Sequence, residues 1–184
     1  MIVRQENNLT VDAPKTYLAA TEAAGTTVYR VKNTTGLTNG WGVQIGDTGQ
    51  DRSEVILGTN TNVGTITGAA SDFEHPADLP VYFIKYNQVV FERSTAGTTG
   101  TATPMTSGTV EISADSQFTI FDDTSGSISY AYRTLFRNST LAVNSTESDW
   151  IVITPEFYYL SSLRQRVRDK LWNSAFVDDD QITD

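Results

Sequence analysis

Few side chains in this chain have the type and spacing to do chemistry. His75 is the single histidine, set in the run Phe73-Glu74-His75-Pro76. A metal site would need further nitrogen or sulfur ligands, and a catalytic triad would need a nucleophile held by the imidazole. His75 therefore reads as a structural or solvent-exposed histidine, with Glu74 pointing the other way if the stretch is extended. Asp122 and Asp123 are adjacent carboxylates, but Thr124, Ser125 and Gly126 follow them, so an Asx turn bonding local amides explains them better than an acid–base pair. The run Asp178 to Asp180 lacks the alternating oxygens, central glycine and distal glutamate of a calcium loop, and reads as acid at a helix start. The glycines around Gly97–Gly100 and Gly40–Gly42 lack the Gly-Lys-Ser/Thr of a phosphate loop and read as turns. Trp41, Tyr158, Tyr159 and Trp172 could stack on a sugar or serve as core or subunit contacts. The expectation is a protein that is not an enzyme, with no cofactor and no metal.

Composition narrows the classes. The chain has 184 residues, 39% of them hydrophobic, with no cysteine, a net charge of −9 and a pI near 4.5. That length holds one large domain or two small ones with packed cores. The acidity disfavours a phosphate backbone or an anionic membrane, so neither specific nucleic-acid binding nor membrane association is expected. Without cysteine there is no disulfide, thiolate nucleophile or thiolate-bound zinc. No apolar stretch approaches bilayer length and the first residues show no secretory signal, which predicts assembly in a cytoplasm.

The elements that would position these residues are mostly strands. The stretch Pro80–Arg93 alternates Tyr82, Ile84 and Tyr86 against Val81, Phe83 and Lys85, pauses at Asn87 and Gln88, and resumes at Val89. This predicts strand, polar joint, strand. Upstream, short strands are expected at residues 9–16, 27–32, 41–46, 53–57 and 64–67, with a helical turn over Tyr17–Ala24 and turns at Asn33–Gly36, Thr38–Gly40 and Asn60–Asn62. Downstream, strands are expected at residues 109–112, 117–121, 129–138 and 150–153. Along residues 129–138, Tyr130, Tyr132, Thr134 and Phe136 share one face, and Arg133 and Arg137 lie on the other. The predicted fold is mainly β: a small barrel-like module over residues 1–86, a second small β-module over 87–154, and a C-terminal amphipathic helix with an acidic tail over 155–184.

The helix carries the candidate subunit interface. Leu160, Leu163, Val167 and Leu171 recur at three, four and four residues, one apolar stripe at helical period. Ser162 and Gln165 fit a capping box. Arg164 and Arg168 flank the stripe on one side, Arg166 and Lys170 on the other, and Trp172 follows it. The stripe would pack on its own domain with arginine stems covering its edges, or on a neighbouring subunit with arginines meeting carboxylates; nucleic-acid contact is a minor third use. The tail from Val177 resembles a cap and first turn left unfinished, which suggests a chain shorter than its relatives.

Three resemblances add to this reading. Phe118 to Asp123 followed by Tyr130 to Asn138 is similar to the end of a fibronectin type III domain, where a corner tyrosine opens an alternating strand and an asparagine lies eight residues on. The match makes Tyr130 the corner tyrosine, its hydroxyl bonding to backbone. The resemblance implies an immunoglobulin/fibronectin III-like β-sandwich over residues 87–154, which are short for that family and lack its early core tryptophan. Ser53–Leu57, Gly64–Thr67, the loop Glu74–Asp78 and the strand Pro80–Ile84 resemble a small β-module of tailed-bacteriophage virion proteins, and Leu163–Leu171 with Asp180–Asp184 resembles the opening of phage head–tail connector proteins. These resemblances imply a structural protein of the virion, acting in the neck, that forms a homo-oligomeric ring touching the portal or other neck, tail or capsid proteins. The alternative they leave is a capsid decoration, baseplate or fibre-like protein that recognises host glycans.

Overall fold

The computed structural model describes residues 1–4 and 14–152, and these fall within one unit, Met1–Ile153. They are mainly β, in several antiparallel sheets consistent with small tandem β-modules. Four strands, β2 (Lys15–Tyr17), β4 (Gly42–Ile45), β5 (Glu54–Ile56) and β8 (Pro80–Ile84), form a sheet in the order β2-β8-β4-β5. A second sheet, β3-β7-β6, joins β3 (Val28–Arg30), β6 (Asn60–Asn62) and β7 (Thr65–Thr67). The third has β9 (Gln88–Ser94) between β10 (Thr103–Glu111) and β12 (Ala131–Asn138), with β13 (Val143–Asn144) and β14 (Ile151–Val152) on the far side of β12. β1 (Ile2–Arg4) pairs with β11 (Phe118–Ile120) in a ladder of their own.

The period-two alternation of β8 puts its faces on different cores. Val81 and Phe83 join Val43, Ile45 and Ile56 against Tyr29 and Ile66 of the β3-β7-β6 sheet and Val31 just beyond β3. Ile84, one residue on, turns to a second cluster with Val89, Phe91 and Ile112. β5 divides likewise, Ile56 in the first cluster and Val55 packed on the second. One sheet thus separates two apolar layers, and each fully buried aliphatic side chain in them contributes about 1.5–3 kcal/mol of transfer free energy.

Two asparagines fasten the strands at the polar joint. The Asn138 amide donates to Gly40 O at 3.0 Å and Lys85 O at 2.8 Å and accepts from Leu141 N–H at 2.8 Å. Asn87 donates to Ser139 Oγ and accepts from its N–H, at 2.8 and 2.9 Å. Both are buried, so these bonds replace lost hydration.

Several local expectations change. Tyr17–Ala24 is no helical turn: Tyr17 ends β2, Leu18 bridges Val31 and Glu22 bridges His75, so this backbone is taken up by sheet partners. Asn60–Asn62, expected as a turn, is a strand returning through Val63-Gly64 to β7. β10 starts six residues earlier than the expected Thr109, with a register shift between Pro104 and Thr109 and Ser107 at φ +59°.

Candidate functional site

His75 meets the chain's carboxylates in a place its sequence neighbours do not reveal. Its imidazole is 1% exposed, and Nε2 lies against Oε1 of Glu54, whose side chain is 10% exposed. Glu54 comes from β5, and its other oxygen accepts Asp72 N–H at 2.9 Å. The His75 backbone exchanges bonds with Glu22, N–H to O at 2.9 Å and O from N–H at 2.8 Å. The Glu22 carboxylate in turn takes Arg30 N–H at 2.7 Å and its guanidinium Nε at 2.9 Å. Burial alone would raise the Glu22 carboxyl, but the bonds from Arg30 outweigh it and hold it below its ordinary value. Behind this cluster Tyr29 donates to Ala69 O at 2.6 Å; burial, with help from the Glu54, Glu22 and Asp72 charges, pushes its hydroxyl up to about 12.

The cluster clasps the loop of residues 71–79 to β5 and to the segment before β3. A cavity of about 230 Å³ opens beside it, bordered by Asp51, Arg52, Glu74 and His75. Arg52 sits there at φ +63°, a left-handed conformation that ordinary residues rarely hold. Each oxygen of the Glu54 carboxylate has its partner, His75 Nε2 on one and the Asp72 amide on the other, so the arrangement positions backbone. Among the described residues no three His, Cys, Asp or Glu side chains come together to hold a metal ion.

Asp123 is the second focus. Its Oδ1 takes Ser125 N–H at 3.0 Å and its hydroxyl at 2.8 Å, the expected Asx turn, while Oδ2 takes Arg93 Nη1 and the Tyr132 hydroxyl, both at 2.9 Å. Burial raises this carboxyl, but the donors outweigh burial and bring it down to about 2. The hydroxyl bonded in this corner is Tyr132's and its acceptor is a side chain, whereas Tyr130 carries the Arg93 guanidinium over its ring at 4.9 Å. This corrects the corner role expected of Tyr130. Nearby, Arg133 on β12 donates to Glu92 at 2.7 Å and lies 4.9 Å over the Trp150 ring.

Trp41 packs against the first core, and its carbonyl accepts from Thr59 N–H and Oγ1 at 3.0 and 2.8 Å. The predicted interface residues Leu160, Leu163, Arg164, Arg166, Val167, Arg168, Leu171 and Trp172 lie outside the described residues, as do Tyr158, Tyr159 and the Asp178–Asp180 run.

What sequence reasoning missed is a set of apolar side chains facing solvent from strands. On β11, Phe118 is 51% and Ile120 61% exposed while Thr119 between them is buried; on β14, Ile151 and Val152 are both exposed. The alternation Phe118-Thr119-Ile120 was a visible signal, but period two tells which residues share a face and not which face is covered. Among the described residues no helix is long and apolar enough to cross a membrane. No family model, no curated protein and no solved structure matches the chain.

Proposed function

We propose that this chain is a non-enzymatic structural protein that works by assembling in several copies, as a neck or head–tail connector component of a tailed-phage virion. The observation that carries the assembly reading is the exposure of Phe118, Ile120, Ile151 and Val152 on strands, where apolar surface left in water favours burial against a neighbour. The groups best placed for chemistry, His75 with Glu54 and Asp123 with Arg93, serve as internal fastenings. The phage assignment rests on the sequence resemblances described above. In it, the stripe of Leu160, Leu163, Val167 and Leu171 docks on an adjacent subunit or the portal, and the strands brace the outside. Repeating one heterologous contact by rotation closes a ring in which every copy of that contact is satisfied.

Native mass measurement of the purified chain tests this reading, followed by its localisation in a particle. A closed ring, lost when Leu163 and Val167 are both replaced by aspartate, is the expected result. A monomer at every concentration that does not join particles overturns it.

A further inference from the structure

Strand β11 has one edge occupied and one open. Met1 and Phe121 exchange hydrogen bonds, the Met1 amino group to Phe121 O at 2.6 Å and Phe121 N–H to Met1 O at 2.9 Å. Antiparallel alternation then makes Thr119, opposite Val3, the next residue whose backbone is directed at β1. Phe118 and Ile120 direct theirs at the other edge. There the Ser116 hydroxyl serves both backbone groups of Phe118, accepting from its N–H at 3.0 Å and donating to its carbonyl at 3.1 Å. Ile120 N–H and C=O have no partner among the described residues, and no described strand runs along that edge. The side chains beside this gap are the exposed Phe118 and Ile120, and neither a lysine nor a proline blunts it, the usual protections of an edge strand.

We propose that this edge pairs antiparallel with the same edge of a second copy, about a two-fold axis through Ile120. In an antiparallel ladder a hydrogen-bonded residue offers its N–H and C=O to the residue opposite, so two Ile120 residues satisfy one another. Charge selects the same register. With Ile120 facing Ile120, Asp122 lies opposite Phe118, Asp123 opposite Gln117 and Asp115 opposite Ser125, so no acid meets an acid in a chain of net charge −9. Moving the axis to Thr119 would set Asp115 against Asp123 and use backbone already bonded to β1. The pairing gathers Phe118 and Ile120 of both copies into one apolar patch. Strands of this length bury far less than the roughly 1,600 Å² of a stable complex. The contact therefore acts where copies are already held at high local concentration, and it rests on the assembly reading above. It joins copies of two facing rings, because neighbours within one ring are related by its rotation and not by a two-fold axis.

The absence of cysteine makes the pairing directly testable. Ile120→Cys puts one thiol beside the axis, where the Cα separation of about 5.5 Å in a hydrogen-bonded pair suits a disulfide. Under mild oxidation I120C is expected to form a disulfide-linked dimer about tenfold faster than Val63→Cys, whose thiol sits at a fully exposed hairpin tip. Adding Phe118→Asp, which sets an acid against Asp122, is expected to bring I120C down to the V63C rate. Thermal unfolding verifies that each variant is folded. Cross-linking of I120C no faster than V63C overturns the proposal, as does a rate that F118D leaves unchanged. Native mass of the unmodified chain separates the two failures: an oligomer without I120C cross-linking removes this edge alone, and a monomer removes the assembly reading with it.

Discussion

Thr119 shows how little a residue's type says about its state. Its neighbours Phe118 and Ile120 stand in solvent while its hydroxyl is buried with no hydrogen-bond partner among the described residues. A buried polar group left unpaired forfeits its hydration for nothing, so Thr119→Val, nearly the same shape, is expected to stabilise the protein by about 1 kcal/mol in urea unfolding. A loss of stability would mean that the hydroxyl has a partner. Asp123 is the opposite case, saturated with donors and held down to about 2. A carboxyl lowered in the folded state contributes stability that is complete above its unfolded value of about 3.9 and is lost as pH falls through the folded one. Between about pH 4 and pH 2 the wild-type melting temperature should therefore fall more steeply than that of Asp123→Asn, which starts lower at pH 7. Parallel curves would remove Asp123 from the acid response. The turn around Asp123 was legible because the Ser125 amide and hydroxyl that bond Oδ1 are two residues away, while the Arg93 and Tyr132 donors to Oδ2 were not. The Glu54–His75 pair was not, because the two residues are 21 positions apart and only the sheet brings them together.

At the scale of elements, alternation located most strands and missed those whose pairing is set from outside. β4 and β8 were readable because Val43, Ile45, Val81 and Phe83 recur at period two over a face that is buried. Tyr17–Ala24 has small residues of good helix propensity, yet β8, Val31 and His75 recruit its backbone into sheet contacts, and tertiary pairing overrides propensity. Asn60–Asn62 has turn composition and is held extended by β7. Asn138, at the end of β12, ties that strand to the Gly40 turn and to the carbonyl after β8. Asn138→Ala leaves the Gly40 and Lys85 carbonyls and the Leu141 amide short of a part-buried partner, and is expected to cost about 3 kcal/mol in urea unfolding. Asn138→Asp should not restore it, since a carboxylate cannot donate to those carbonyls. Full stability in either variant would show that the strands are joined by other means.

Across the whole unit, the two cores are bonded to opposite faces of one sheet, so neither keeps its floor when the other melts. Val81 and Phe83 belong to the first core and Ile84 to the second along a single strand. A strand cannot leave one ladder face while holding the other, because both faces share its backbone hydrogen bonds. The chain carries a reporter for each side: Trp41 packs on the first core, and Trp150 lies against Arg133 on β12 of the third sheet. In two variants that keep only one of these tryptophans, with Trp172→Phe in both, fluorescence should trace the same urea midpoint. Ile84→Ala, which opens a cavity in the second core only, should lower both midpoints equally, by the equivalent of about 2–5 kcal/mol. Separate midpoints, or a loss felt by Trp150 alone, would mean that the shared sheet divides and the modules fold independently.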